Sequence, residues 1–397
     1  MSKHLSRDYF LTLQAALKKA GLAEPVLLLD RQRLNHNIDN LRDNLPDGMN
    51  YRIVAKSLPS AALLEHVGKR AGTQRLMSFN AVMTRQLLDA MPKADILHGK
   101  PLPVAAADGF LKSLPTSRAR QINQIQWLVD TPARLAEYAA LANKHRCTLR
   151  INLEIDVGLH RGGLPPGDDL RQALALIAKH RRLELAGYMG YEPHLTKLPD
   201  LEGWKARAKK GAWDLYAAAL EQARAHFGAA HTEAMTRNMA GSPTIRLYKN
   251  TRLANEVATG SALVKPSDFD APLLASFQPA SFIATPVLKV DKQLRLPAHE
   301  FANGLLGEAE KGTAIFVHGG YWMASPVFPK GLSYSQIFGR SSNQDYLQGG
   351  VRVSIAPDDF VFLRPHQSEA VFLQFPKIAV FDGKRIADIW TPLGVSA

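Results

Sequence analysis

The chain has 397 residues, 46% of them hydrophobic and 21% charged, with one cysteine and a formal net charge of +13. That length exceeds a single ordinary core and predicts two domains. The 49 Lys and Arg residues are spread over the whole chain with no basic block, so the charge predicts attraction of phosphates and carboxylates, with no nucleic-acid partner. Apolar runs are short, as at Val26–Leu29, far from the ~20 residues a membrane helix needs. No apolar segment of a secretory leader accompanies Met1–Phe10. The single Cys147 excludes an intramolecular disulfide, and these features together predict a cytoplasmic protein without a membrane partner. Cys147 opens an apolar alternation that reads as a strand start, with a packing role.

In chain order, residues 4–20 form an amphipathic pattern ending before Gly21, and residues 1–24 are expected to pack as an N-terminal helix on the scaffold. Val26–Leu29 is a short strand, and Asp30 can cap the helix marked by Leu34, Ile38, Leu41 and Leu45. Residues 25–50 thus lead into a long alternation. Eight strands are expected at Tyr51–Ala55, Leu76–Phe79, Asp95–His98, Ile125–Val129, Leu149–Ile155, Leu185–Met189, Met235–Met239 and Glu256–Thr259. Helical patterns at Ser60–Lys69, Ala81–Ala90, Pro132–Lys144, Asp169–His180 and Leu201–His226 lie between them. Eight such units in about 210 residues predict an α/β fold, a (β/α)8 barrel over residues 51–262. From residue 263 helical periodicity vanishes. Strand-like runs at Ser281–Val290, Thr313–Val317, Val351–Ile355, Phe360–Leu363 and Ala370–Phe375, with turn signals between them, predict a second, all-β domain over residues 263–397.

Barrel enzymes place their chemistry at the C-terminal ends of the strands. Lys56 follows the first strand, where burial would free its amine as a nucleophile; a lysine snorkelling from a strand end is the competing reading. After the fifth strand comes Asp156-Val157-Gly158-Leu159-His160-Arg161-Gly162-Gly163, in which Arg161 offers a forked cation, to an anionic oxygen or to solvent. After the sixth, Tyr191 or His194 either lines a pocket or packs. After the seventh and eighth come Gly241-Ser242-Pro243-Thr244, expected to open a helix, and Thr259-Gly260-Ser261. Two small turns at neighbouring strand ends can aim N–H groups and hydroxyls at a phosphate. A strand-end lysine opposite a phosphate cradle suggests pyridoxal 5'-phosphate, which serves as an electron sink.

These motifs, with Gly187-Tyr188-Met189-Gly190, resemble the alanine racemase-like, fold-type III pyridoxal-phosphate enzymes, most closely the D-serine dehydratase and D-threonine aldolase branch. The resemblance covers about residues 25 to 395. It implies that the first strand, Val26–Leu29, belongs to the β domain, that Lys56 is the Schiff-base lysine and proton shuttle at the substrate Cα, and that Arg161 bonds the cofactor's phenolic oxygen. It sets Tyr191 beside the ring, and Gly241, Ser242, Thr244, Gly260 and Ser261 around the phosphate. It also implies a homodimer and a small amino-acid substrate.

Residues 357–368 resemble that branch's C-terminal metal motif, in which a His and, two residues on, a Cys or Asp bind a divalent metal. Here His366 is present, but Ser368, a poor metal ligand, holds the second place. Glu369 is one residue off, which along a strand points it to the other face. The residues favour His366 as a hydrogen-bonding group without metal over His366 as a metal ligand. The expected activity is a lyase acting on D-serine or D-threonine, with His318, Tyr321 or His366 as acid. The alternatives are a racemase using Tyr321 or Tyr334, and a non-catalytic carrier of pyridoxal phosphate. Gly339–Gln344 reads as a polar surface turn, in which Arg340 could meet a substrate carboxylate.

Overall fold

A computed structural model describes residues 5–199, 201–249, 252–294, 311–336 and 338–394. The chain divides into two compact units. One holds the residues up to Asn37 with Leu263–Asp270 and Ala275–Pro392; the other holds Ile38–Ala262, Ala271–Leu274 and the residues from Leu393.

The first unit opens with α1 (Arg7–Lys19), whose N-cap Ser6 side chain accepts the Tyr9 amide. Strand β1 (Val26–Asp30) is wholly buried, and Asp30 Oδ1 accepts the Arg33 amide at 3.0 Å, capping α2 (Arg31–Arg42) as the sequence predicts.

The second unit is a closed barrel of eight parallel strands. They are β2 (Asn50–Val54), β3 (Arg75–Ser78), β4 (Asp95–His98), β5 (Ile125–Val129), β6 (Leu149–Ile155), β7 (Leu183–Gly190), β8 (Thr236–Met239) and β9 (Glu256–Thr259). β9 pairs with β2 to close the ring. Helices α3 (Ala61–Ala71), α4 (Ala81–Ala90), α5 (Val104–Ser113), α6 (Pro132–Lys144), α7 (Asp168–Lys179) and α8 (Trp204–Ala234) alternate with the strands. Asn80 and Thr131 cap α4 and α6 through their side chains, and α8 breaks at Gly228, where φ is 81°. Each expected barrel strand is present within two residues of its predicted start; α5 was missed.

The barrel interior is layered. Low in the barrel, Arg52 makes a two-pronged pair with Glu256 (2.6 and 2.9 Å) and reaches Asp95 at 2.7 Å. Asn238 donates to Glu256, and Gln126 links Asn152 to Thr236. Met77, Leu97, Leu128, Met189 and Ala258 form an apolar layer, with Val54 and Phe79 packed against it.

In the first unit, β10 (Ser281–Gln293), β11 (Lys311–His318), β12 (Ala324–Phe328), β13 (Leu332–Tyr334), β14 (Gln344–Gly349), β15 (Phe360–Pro365), β16 (Ile378–Phe381) and β17 (Ile386–Trp390) join β1 in a nine-stranded sheet. β1 runs antiparallel to β10 and parallel to β16. Phe10, Leu13 and Leu17 of α1 pack with Phe282, Phe360 and Phe362 of the sheet. Two expected strands are absent. Val351–Ile355 is irregular, and residues 370–375 fall in a short helix, α10 (Ser368–Val371), and a 3-10 turn (Phe372–Gln374). Val351, Val353 and Ile355 alternate with polar residues as in a strand, and the continuous apolar run Val371–Leu373 reads as a buried strand. Cys147 also precedes its strand rather than opening it, and is half-buried.

Candidate active site

Lys56 follows β2 in a single 3-10 turn, Ala55–Ser57. It is half-buried, and its ammonium lies 4.7 Å from the centre of the Phe79 ring, which caps the apolar layer of the barrel. The next residue, Ser57, accepts a hydrogen bond from the Ser261 hydroxyl at 3.0 Å. Lys56 is thereby tied to the turn that follows β9.

That turn and the one after β8 interlock. The hydroxyls of Ser242 and Thr259 pair at 2.5 Å, and Ser242 Oγ accepts the Ala262 amide at 3.1 Å. Thr244 Oγ1 accepts the Gly241 amide at 3.0 Å. All of these residues are buried, and at Gly260 and Gly241 only glycine fits: a Cβ on Gly260 would stand 2.6 Å from Val54 O and 2.8 Å from Ser57 Cβ, and one on Gly241 would stand 2.5 Å from Tyr191 Cε2. Gly241-Ser242-Pro243-Thr244 opens a single 3-10 turn (Ile245–Tyr248) instead of the expected helix. After β9 the chain enters a four-residue helix, α9 (Ser261–Val264). Donors here therefore come from turn amides and hydroxyls, with little helix dipole behind them.

Tyr191 lies against Gly241 on one side and Arg161 on the other, the guanidinium 5.0 Å from its ring centre. Arg161 is exposed on the glycine-rich loop after β6. That loop is shaped by Asp156, which accepts the Gly158 and His160 amides and the His160 ring. Burial opposes ionisation of Asp156, but these hydrogen bonds outweigh it and hold the carboxyl below its usual range. His194 is half-buried near Gly158; burial, then nearby His160, lowers its pKa. Lys56, Arg161, Tyr191, Gly241, Ser242, Thr244, Gly260 and Ser261 thus lie along one run of contacts at one end of the barrel.

Sequence reasoning passed over Ser57, which follows Lys56, Phe79, the last residue of a predicted strand, and Glu192. Glu192 is wholly buried and accepts the Ala240 amide at 3.3 Å. Its signal was a carboxylate directly after Tyr191, in a segment with no basic partner.

In the other unit, His366 follows β15, half-buried, with Nε2 2.7 Å from the Ser325 hydroxyl. Ser368 begins α10, so the strand geometry invoked for Glu369 does not apply. The imidazole is engaged with a neutral hydroxyl, a poor ligand for a divalent metal, and among the described residues no group of three or more His, Cys, Asp or Glu could hold a metal. Tyr321 is 67% exposed with a φ of 59°, its amide bonded to Asp345. Arg340 is engaged with Asp345 and stacked 3.6 Å from the centre of the Tyr334 ring, inside a folded network rather than on a plain surface turn. His318 pairs with Glu24 at 3.2 Å.

The family model described as alanine racemase, N-terminal domain, matches residues 29–268. The chain belongs to that family. Its members use pyridoxal phosphate, and the resemblance to fold-type III enzymes seen in the sequence holds. An alanine racemase from Thioalkalivibrio sulfidiphilus (strain HL-EbGR7) is 24% identical over 307 residues, 72% of this chain and 80% of that protein. Among solved structures, D-threonine aldolase from Filomicrobium marinum matches with a TM-score of 0.72 at 17% identity, covering 94% of this chain and 95% of its own. D-threo-3-hydroxyaspartate dehydratase from Delftia sp. HT23 matches with a TM-score of 0.73 at 16% identity, covering 94% and 98%. An alanine racemase from Clostridium difficile 630 has a TM-score of 0.68 at 16% identity, covering 92% and 98%. These structural matches show a shared fold, a TIM-type barrel with a separate antiparallel sheet. Among the described residues no helix is long and apolar enough to cross a membrane.

Proposed function

We propose that the chain is a pyridoxal-phosphate-dependent lyase acting on a small D-β-hydroxy amino acid, in the manner of D-serine dehydratase or D-threonine aldolase. The observation that carries the reading is the tie between Lys56 and the paired turns: Ser57 bonds Ser261, and Ser242 bonds Thr259. It ties the segment that carries Lys56 to two turns of small residues and hydroxyls. Two glycines that admit no Cβ pack these turns closely on Val54, Ser57 and Tyr191.

The cofactor, when bound, supplies an electron sink for the substrate Cα. Lys56 would hold it through its amine and would carry the proton at the substrate Cα. The turns of Gly241, Ser242, Thr244, Gly260 and Ser261 would hold its phosphate, Tyr191 would flank its ring, and Arg161 would donate to its phenolic oxygen. The acid that assists loss of the β-hydroxyl is assigned to His366 or Tyr321, and no step passes through a metal. We further propose a cytoplasmic homodimer with no nucleic-acid partner. The family description and the Thioalkalivibrio relative favour a second reading, an amino-acid racemase.

The test is visible absorbance. Wild type should take up pyridoxal phosphate with a yellow band that borohydride removes; Lys56→Ala should lack that band. A D-amino-acid screen should then release pyruvate from D-serine or glycine from D-threonine. Exchange of the α-hydrogen of alanine for deuterium, with no hydroxy amino acid consumed, favours the racemase. A wild type that takes up no cofactor refutes both readings.

A further inference from the structure

Behind the paired turns sits a carboxyl that the reading above leaves without a task. Glu192 follows Tyr191 and is wholly buried. Its Oε2 accepts the amide of Ala240, the residue that leads into Gly241-Ser242-Pro243-Thr244. Ala240 stands at a φ of 68°, a left-handed conformation unfavourable for any residue but glycine or asparagine. A conformation of this kind persists only where its surroundings enforce it. Glu192 holds the amide at the bend, and Tyr191, one residue before it, packs on Gly241 from the other side.

The second oxygen, Oε1, is buried and has no hydrogen-bond partner of good geometry. No cation faces it. The neighbouring groups are the Thr244 hydroxyl of the same loop and the Tyr248 phenol of the following 3-10 turn, with Tyr216 of α8 also within electrostatic reach. Burial keeps both phenols neutral. A carboxyl in such a place that served the fold alone would ordinarily be paired or replaced by an amide.

We propose that Glu192 is the positioning residue of the phosphate turn, fixing Ala240 in its left-handed conformation as a neutral acid so that the turn presents its donors to the cofactor phosphate. The inference rests on the functional reading above. Neutrality matters because an ionised carboxylate so close would repel a phosphate dianion. Burial, only partly offset by Thr244 and the Ala240 amide, raises the pKa to about 7, so the acid form prevails below that pH.

The test compares apo-protein affinity for pyridoxal phosphate with that for pyridoxal, which lacks the phosphate. Glu192→Ala should weaken pyridoxal phosphate about tenfold and leave pyridoxal within about twofold. Glu192→Gln, which keeps an acceptor and stays neutral, should restore the wild-type ratio. An equal loss for both ligands, or no loss for either, overturns the proposal.

A pH series on the well-packed Glu192→Gln variant gives an independent reading if the alanine variant fails to fold. Wild-type affinity for pyridoxal phosphate should fall as pH rises past about 7, and the variant should lose that limb. The phosphate's own ionisation, near pH ~6, is common to both proteins and cancels. Superimposable profiles overturn the proposal. A wild type that binds neither ligand refutes the functional reading itself, a result distinct from either of these.

Discussion

Replacing Gly260 with alanine tests whether the close seat of the β9 turn on Lys56 matters. The new Cβ would stand 2.6 Å from Val54 O and 2.8 Å from Ser57 Cβ. Carbon contacts settle near ~3.5 Å, so the turn must part from residues 54–57 by roughly 0.9 Å. The obstacles are a backbone oxygen and a short side chain, neither of which can swing away. Overpacking of this kind costs about 1–3 kcal/mol. For a barrel of this size, at ~2–4 °C per kcal/mol, the melting temperature should fall by roughly 2–12 °C. The shift also drags on the Ser57–Ser261 bond, and misplacement by ~1 Å is enough to cost about a hundredfold in turnover.

The assays are thermal melting of the apo-protein and titration with pyridoxal phosphate. Gly211→Ala is the control: it lies inside α8 with nothing within 4 Å of its added Cβ, and should stabilise by about 0.5–1 kcal/mol. A Gly260→Ala protein that melts and binds cofactor like wild type refutes the argument that this contact positions Lys56.

Two further outcomes follow from the barrel interior. Arg52→Ala removes the two-pronged partner of Glu256, a wholly buried carboxylate that keeps Arg75 and Asn238, and should cost toward the lower end of about 3–5 kcal/mol in urea unfolding; a loss below about 1 kcal/mol would show that Arg75 and Asn238 satisfy the carboxylate by themselves. Burial holds His98 neutral, its pKa lowered to about 3, with Thr84 as its partner. A histidine depressed from 6.5 stabilises above that pH and loses the contribution as pH falls toward 3, so at pH 5 the loss is about 2 kcal/mol. His98→Gln should flatten the acid limb of the melting curve between pH 7 and 5, and parallel curves for the two proteins would contradict this.

The barrel was legible in the sequence because each of its strands sits between helices of strong 3.6-residue period, and because strand ends carry residues that a buried strand would not tolerate. Lys56 and Arg161 stood out that way. The β unit was harder to read. Its strands at Ala324–Phe328, Leu332–Tyr334 and Gln344–Gly349 are short and polar on one side, and they lie among glycines and prolines that read as turns. α10 was taken for a strand because four residues are too few to display a helical period. Glu192 escaped because burial without a charged partner is a property of three-dimensional packing. Arg340 seemed free for a similar reason: its acceptor, Asp345, lies just beyond a turn that brings it back.

Strand β1 has a consequence for how the protein is made. Its neighbours β10 and β16 begin only at Ser281 and Ile378. A ribosome adding roughly 5–20 residues per second needs about 12–50 s to pass from Asp30 to Ser281. For that time five residues destined for full burial have no sheet to join, and by its end every strand of the barrel has been synthesised. The nascent chain therefore carries an apolar strand without its partners until β10 and β16 are made, a natural handle for a chaperone and a point at which crowded expression would turn to aggregation.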